Sequence, residues 1–168
     1  MTNPVFPRAP SHLQQRAVQV LLRGGRTLEG DIHIPEGMPL LNFLGNKRFF
    51  VNLTSVRREG EEDTTRADHL SLRLSNVVWV VPLEGTLHLS TASAPTSSSR
   101  HVELELVDQL TLRVELGIAE EQRMSDYLDA NLGFVPFFSA RIESERQTID
   151  RLAVNHEAIL AIREVPPI

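Results

Sequence analysis

The chain contains an internal repeat, and this repeat constrains the fold more than any other feature of the sequence. Residues 18–57 align with residues 102–141 without a gap at an offset of 84, and 11 of the 40 aligned positions are identical. The alignment resumes after a loop at an offset of 82, where Leu70 and Val80 correspond to Leu152 and Ile162. Self-similarity at a fixed period indicates a duplicated structural unit. Because so small a unit has a marginal core of its own, we expect the two copies to stabilise each other.

Short segments of each copy alternate apolar and polar residues at the two-residue period of β-strands. Residues 18–22 and 28–34 alternate in this way on either side of two glycines, which predicts a hairpin. Apolar residues over 40–44 have helical spacing and predict one short helix. Further strands are predicted at 49–53, 70–74 and 77–82, with counterparts at 134–138, 152–154 and 158–163. The sequence therefore predicts a mainly all-β fold with five strands and one short helix in each copy.

Five strands with one apolar face are expected to curl into a small barrel, because a flat sheet of this size leaves that face uncovered. The predicted organisation is an extended arm over 1–16, a first barrel over 17–90, a linker over 91–100 and a second barrel over 101–168. The predicted core of the first barrel contains Leu28, Ile32, Ile34, Leu44, Phe50 and Val77. The predicted core of the second contains Leu112, Leu116, Ile118, Leu128, Phe134 and Ile159.

Composition narrows the classes of function. The net charge of −5 argues against general binding of a phosphate backbone, which needs an excess of Lys and Arg. The absence of cysteine excludes disulfides and thiolate metal sites. Residues 1–11 lack the apolar segment of a secretory signal, and the longest apolar run, at 77–83, is too short to span a bilayer. We expect a cytoplasmic protein, either soluble or peripheral on the cytoplasmic face of the inner membrane.

The titratable and nucleophilic residues form no pattern typical of catalysis. The six histidines share no metal-ligand spacing, and Ser97 lies with its serine neighbours in the linker. The carboxylate pair Asp31 and Glu36 recurs as Glu115 and Glu120, which indicates duplicated turn chemistry. We therefore predict no catalytic residue, no metal ligand and no cofactor, and hence a protein that is not an enzyme.

Four residues are predicted to bind a partner. Phe6 and Arg8 lie in the proline-rich arm, which is too rich in proline to be helical and is expected to become ordered on another chain. Arg16 belongs to the same basic stretch, because residues 1–28 contain four arginines and no acidic residue. Trp79 lies in an apolar strand, where it is either a core residue or an interface residue.

Two stretches resemble the motifs of the Sm/LSm family of small barrels. Residues 18–32, VQVLLRGGRTLEGDI, resemble the first motif, including Gly30 within the second strand. Residues 72–80, LRLSNVVWV, resemble the second motif, with Arg73 and Asn76 in place. The second copy departs at both motifs, with Val114 and Ala158. Residues 29–38 and 124–128 more closely resemble an uncharacterised bacterial branch of Sm-like barrels with an inserted helical turn.

The resemblance implies a fold more than an activity. Sm proteins read RNA through a polar loop after the second strand and a glycine after the motif arginine, whereas residues 35–46 are largely apolar here and Leu74 replaces the glycine. With no catalytic pattern and no RNA-reading residues, what remains is binding through surfaces and strand edges, and we expect a scaffold subunit that binds protein partners in a larger, membrane-associated assembly. Its most specific form is the additional cytoplasmic subunit of a gemmatimonad-type photosynthetic reaction centre and light-harvesting complex. An RNA-binding or regulatory Sm-like protein stays open as the alternative.

Overall fold

The protein has a mainly β fold. The structure is a computed structural model that describes residues 12–58, 67–90, 98–143, 145 and 147–167. Within these residues, ten strands form one antiparallel sheet and two short helices connect strands. This confirms the all-β class predicted from the sequence. Most of the predicted arm and most of the predicted linker lie outside the described residues.

The two copies have the same order of elements. The first contains β1 (Leu13–Leu22), β2 (Thr27–Pro35), α1 (Leu40–Gly45), β3 (Phe50–Arg58), β4 (Ala67–Arg73) and β5 (Val77–Pro82). The second contains β6 (Ser99–Leu106), β7 (Thr111–Gly117), α2 (Met124–Ala130), β8 (Phe134–Ile142), β9 (Thr148–Asn155) and β10 (Ile159–Glu164). Strand β1 includes residues 13–16, which the sequence analysis placed in the arm, and β6 includes residues 99 and 100 of the predicted linker.

Several equivalent positions have the same backbone geometry in both copies. Phe50 pairs with Arg73 in the first copy, and their counterparts Phe134 and Asn155 pair in the second. Three-residue 3₁₀ turns, Leu74–Asn76 and His156–Ala158, follow β4 and β9. Ser55 and its counterpart Ser139 both have positive φ, at 52° and 50°, a conformation that is uncommon outside glycine. The repeat in the sequence is therefore a repeat in the structure.

The sheet bends where β2 pairs with β3. The register shifts between Glu29 and Asp31, and Gly30 lies between them. A Cβ atom on Gly30 would lie 3.1 Å from the carbonyl oxygen of Thr54, which is closer than most side chains tolerate. Glycine at this position thus allows the two backbones to approach each other closely.

Each copy contributes five neighbouring strands to the sheet. The strand order is β10-β6-β7-β8-β9-β5-β1-β2-β3-β4, so the copies meet where β5 pairs with β9. We call this junction the seam; its paired residues are Trp79 with Val154 and Val80 with Ala153. Strands β4 and β10 are the two outer edges of the sheet. Closure of each half into a barrel stays a prediction.

The first hydrophobic core contains five of its six predicted residues. Leu28, Ile32, Ile34, Leu44 and Val77 are at most 3% exposed. The prediction for Phe50 was wrong, because this side chain is 52% exposed. Its neighbours on β3, Val51 and Leu53, point into the core, and the alternation of the strand directs Phe50 outward.

The second core contains Leu112, Leu116 and Ile118, each at most 1% exposed. Leu128 and Ile159 are only partly buried and pack against the edge of this core. Phe134 is buried as predicted, but it packs into the core of the first copy and not into its own. A side chain of one copy therefore covers the hydrophobic core of the other.

Candidate interaction surfaces

Two of the four residues predicted to bind a partner lie within the described part of the chain. Phe6 and Arg8 lie outside the described residues. Arg16 lies on β1 and Trp79 on β5, and both make contacts within the chain. Their roles toward another chain stay predictions.

Arg16 belongs to a cluster of polar contacts around Glu84. Its Nε lies 3.0 Å from Glu84 Oε2 without an aligned hydrogen bond, so we treat this contact as an ion pair. Its Nη2 donates to Thr86 Oγ1 at 2.6 Å. Arg151 of the second copy donates to the Glu84 carbonyl oxygen at 2.6 Å. The cluster thus holds the segment after β5 against both copies.

A solvent-open groove of about 670 Å³ lies beside this cluster. Its lining includes Met38, Leu87 and His88 from the first copy and Phe138 and Arg151 from the second. Because Arg16 and Arg151, which both line the groove, already bind Glu84, their donors are partly committed within the chain.

Trp79 lies at the seam and is 5% exposed. It pairs with Val154 across the seam and belongs to the hydrophobic core of the second copy, together with Val78 and Val81. The first copy thus contributes a strand whose side chains fill the second core. The sequence left open whether Trp79 is a core residue or an interface residue. The structure shows it packed in the core between the two copies.

A buried amide adds polar contacts at the seam. Asn155 is 4% exposed, and its Nδ2 donates to the carbonyl oxygens of Leu74 and Val77, each at 2.9 Å. Its Oδ1 accepts from the backbone N–H of Glu157 at 3.1 Å. The sequence analysis missed this residue. The only signal was its place in the repeat, where it aligns with Arg73.

The outer edge at β10 corresponds to the strand that forms the seam in the first copy. Leu160 occupies the position of Val78, and both lie at a shift of strand register. Val78 is fully buried in the second core, whereas Leu160 is 67% exposed. An unpaired strand edge presents backbone N–H and C=O groups that can pair with another chain. The outer edge of β10 and the exposed side chain of Leu160 therefore form a candidate protein-binding surface.

Ion pairs hold β10 against β6. Arg163 binds Glu103, a carboxylate that is only 4% exposed, and Arg113 lies 3.5 Å from the other oxygen of Glu103. At the end of β10, Glu164 lies 3.0 Å from Arg100. The exposed edge is therefore part of an ordered strand.

Few large apolar side chains are exposed among the described residues. They are Leu13, Phe49, Phe50, Leu83, Leu132 and Leu160. Phe49 and Phe50 are adjacent to each other and to the outer edge β4, whereas Leu160 lies on the other outer edge. Large apolar side chains are therefore exposed at or beside both outer edges of the sheet.

Burial changes the proton affinity of the single tyrosine. Partial burial raises the pKa of the Tyr127 hydroxyl, because the ionised form is poorly solvated there. Within the described ranges, no group of three or more His, Asp or Glu residues could hold a metal ion. No helix in the described part of the chain is long and apolar enough to cross a membrane.

Comparison with known proteins gave no relative. No family model, no curated protein and no solved structure matches the chain.

Proposed function

We propose that this chain is a non-catalytic accessory subunit that binds protein partners in a larger assembly. In the form we propose, each half is an Sm-like small barrel. The most specific candidate assembly is a bacterial photosynthetic reaction centre with its light-harvesting ring, which the chain would bind on the cytoplasmic face. The observation that carries the proposal is the outer edge of β10 with the exposed Leu160.

The seam supports this proposal because it provides an example of the contact within the same chain. There, β5 pairs with β9, and Val78 packs into the core of the neighbouring copy. Strand β10 has the same place in its own copy as β5, with Leu160 at the position of Val78. A partner that adds a strand to this edge would satisfy the backbone groups that no described strand pairs with, and it would cover Leu160.

The contacts that hold β10 in the sheet also support partner binding. Both Arg163 and Glu164 make ion pairs with residues of β6, so the strand does not have to become ordered when a partner binds. Binding through an ordered edge avoids the entropy cost of fixing a mobile segment.

The proposal is tested by affinity purification of the tagged full-length chain from solubilised membranes of its own cells, followed by mass spectrometry. We expect the wild-type chain to retain the subunits of a membrane-embedded complex and Leu160→Glu to lose them. Leu132→Glu is the matched control, since Leu132 is 79% exposed in a turn outside the strands. Both substitutions are at exposed positions, so the free energy of unfolding should change by about 0.5 kcal/mol or less.

Two outcomes would contradict the proposal. In one, Leu160→Glu retains the same partners as the wild type. In the other, the wild-type chain retains RNA and no protein subunit, which would favour the Sm-like RNA-binding alternative.

A further inference from the structure

The segment between α1 and β3 combines exposed aromatic rings with basic side chains. Phe49 and Phe50 are 53% and 52% exposed. Lys47, the only lysine of the chain, and Arg48 precede them directly. Arg73 is exposed and pairs with Phe50 across β3 and β4. We call these five residues the basic–aromatic corner.

Two of the basic residues, Lys47 and Arg48, are stacked on neighbouring rings. The Lys47 Nζ lies 4.6 Å from the centre of the Phe43 ring, and the Arg48 Cζ lies 5.0 Å from the centre of the Phe49 ring. Such cation–π contacts hold the charged groups beside the apolar rings. The corner therefore presents positive charge and aromatic surface side by side.

The backbone of the corner is fixed by strand pairing. The N–H of Leu74 donates to the carbonyl oxygen of Phe49 at 2.8 Å, and Phe50 begins β3. Both rings are thus exposed on an ordered element rather than at the tip of a free loop.

The second copy lacks this combination. The counterparts of Lys47, Arg48, Phe49 and Arg73 are Asn131, Leu132, Gly133 and Asn155, and none is charged. The counterpart of Phe50 is Phe134, which is 8% exposed because it packs into the core of the first copy. Basic residues thus surround the aromatic position only in the copy where that position is uncovered.

We propose that the basic–aromatic corner binds the surface of an anionic lipid bilayer. Exposed Phe side chains can insert at the boundary between the lipid headgroups and the acyl chains, and basic residues are attracted to anionic headgroups. The net charge of the whole chain is −5, so the attraction depends on these local cations and not on the chain as a whole. Each basic residue near such a surface increases the partition coefficient by about fivefold.

Strand β4, the outer edge beside the corner, is poorly suited to pairing with a strand of another protein. This favours lipid as the binding partner of the corner. Asp68, His69 and Arg73 of β4 are all exposed, and charged or polar residues of this kind discourage strand pairing at an edge. The corner lies at the opposite end of the sheet order from β10, the proposed protein-binding edge. This inference rests on the proposed function in one respect, because both proposals place the chain at a membrane.

The test is sedimentation of the purified full-length chain with protein-free vesicles. Vesicles of phosphatidylcholine alone are compared with vesicles of phosphatidylcholine and phosphatidylglycerol. We expect the wild type to sediment with the anionic vesicles and about 0.5 M salt to weaken this binding, because salt screens the charges. The triple variant Lys47→Gln, Arg48→Gln, Arg73→Gln should lose about 100-fold in partition coefficient.

A second variant tests the aromatic rings. Phe49→Ser with Phe50→Ser should lower the partition coefficient at least about tenfold, since both rings lose their apolar contact with the lipid. Leu132→Ser is the matched control, because it removes an exposed apolar side chain from the equivalent turn of the second copy and should bind like the wild type. Circular dichroism confirms that each variant is folded.

Three results would overturn the inference. They are absence of sedimentation with anionic vesicles, equal binding to neutral and anionic vesicles, and wild-type binding by the Phe49→Ser, Phe50→Ser variant. If the wild type does not sediment with vesicles while a corner variant loses membrane subunits in the affinity purification, the first of these results is obtained and the corner is identified as a protein contact. Because the vesicles contain no protein, Leu160→Glu should bind them normally, so the two proposals can fail separately.

Discussion

Val78 and Leu160 occupy equivalent positions in the two copies but have opposite environments. Each lies at a shift of strand register, Val78 between the pairs of β1 and β5 and Leu160 between those of β6 and β10. The side chain of Val78 is fully buried in the core of the second copy, whereas that of Leu160 is 67% exposed. The difference arises because β9 pairs with β5 and no described strand pairs with the outer edge of β10. The proposal that β10 is a protein-binding edge depends on this difference between two equivalent strands.

Asn155→Ala is expected to destabilise the contact between the copies. The substitution removes the donor that the carbonyl oxygens of Leu74 and Val77 share. It should lower the free energy of unfolding by about 1–3 kcal/mol, because the Leu74 oxygen keeps the backbone N–H of Val77 as a donor. Asn52→Ala is the control, since the exposed Asn52 side chain accepts a hydrogen bond from the exposed Ser71 hydroxyl, and its loss should cost about 0.5 kcal/mol or less. Equal midpoints in urea denaturation for the two variants would show that the buried amide does not stabilise the seam.

Large-to-small substitutions in the two helices are expected to differ in cost. Leu44 is 2% exposed, so Leu44→Ala should lower the free energy of unfolding by about 2–5 kcal/mol. Leu128 is only partly buried, and Leu128→Ala should cost less because fewer contacts are lost. Denaturant titration of both variants measures the difference. A larger loss for Leu128→Ala would contradict the burial that distinguishes the two helices.

The single tyrosine should titrate at an elevated pH. Burial raises the pKa of Tyr127, so the unfolded chain releases this proton at a lower pH than the folded chain. The contribution to stability is complete below the unfolded pKa of about 10 and is lost as the pH rises toward the folded value. Ultraviolet difference titration should place the midpoint of the native protein above that of the protein in guanidinium. Coincident midpoints would contradict the burial of this ring.

Deletion of residues 2–11 should weaken assembly without unfolding the protein. The deletion removes Phe6 and Arg8, which are predicted to bind a partner and lie outside the described residues. We expect fewer partner subunits in the affinity purification and an unchanged thermal midpoint. Full retention of partners would exclude the arm as a binding element.

The sequence predicts what depends on local pattern. Alternation and helical spacing predicted the strands and helices, and the repeat predicted the same elements in both copies; the structure adds that their registers are equivalent, as in the pairs Phe50 with Arg73 and Phe134 with Asn155. These features depend on residues close in sequence or on the pairing of adjacent strands, which is why single-sequence reasoning reaches them.

The sequence does not predict how the copies contact each other. Alignment assigns Phe50 and Phe134 the same environment, yet one is exposed and the other is buried, because only Phe134 faces the other copy. Burial of Asn155 and Glu103 likewise depends on partners distant in sequence, Leu74 and Val77 for the amide and Arg163 for the carboxylate. Such long-range pairings leave no periodic signal in one sequence.

Hydrogen–deuterium exchange of β10, measured in the free chain and in the purified assembly, tests the central claim most directly. In the free chain, the amides of Ile159–Glu164 that are not bonded to β6 should exchange rapidly. If a partner adds a strand to this edge, those amides should exchange at least about tenfold more slowly in the assembly, whereas the amides of β5 should be unchanged. Equal exchange of β10 in the two states would contradict the account.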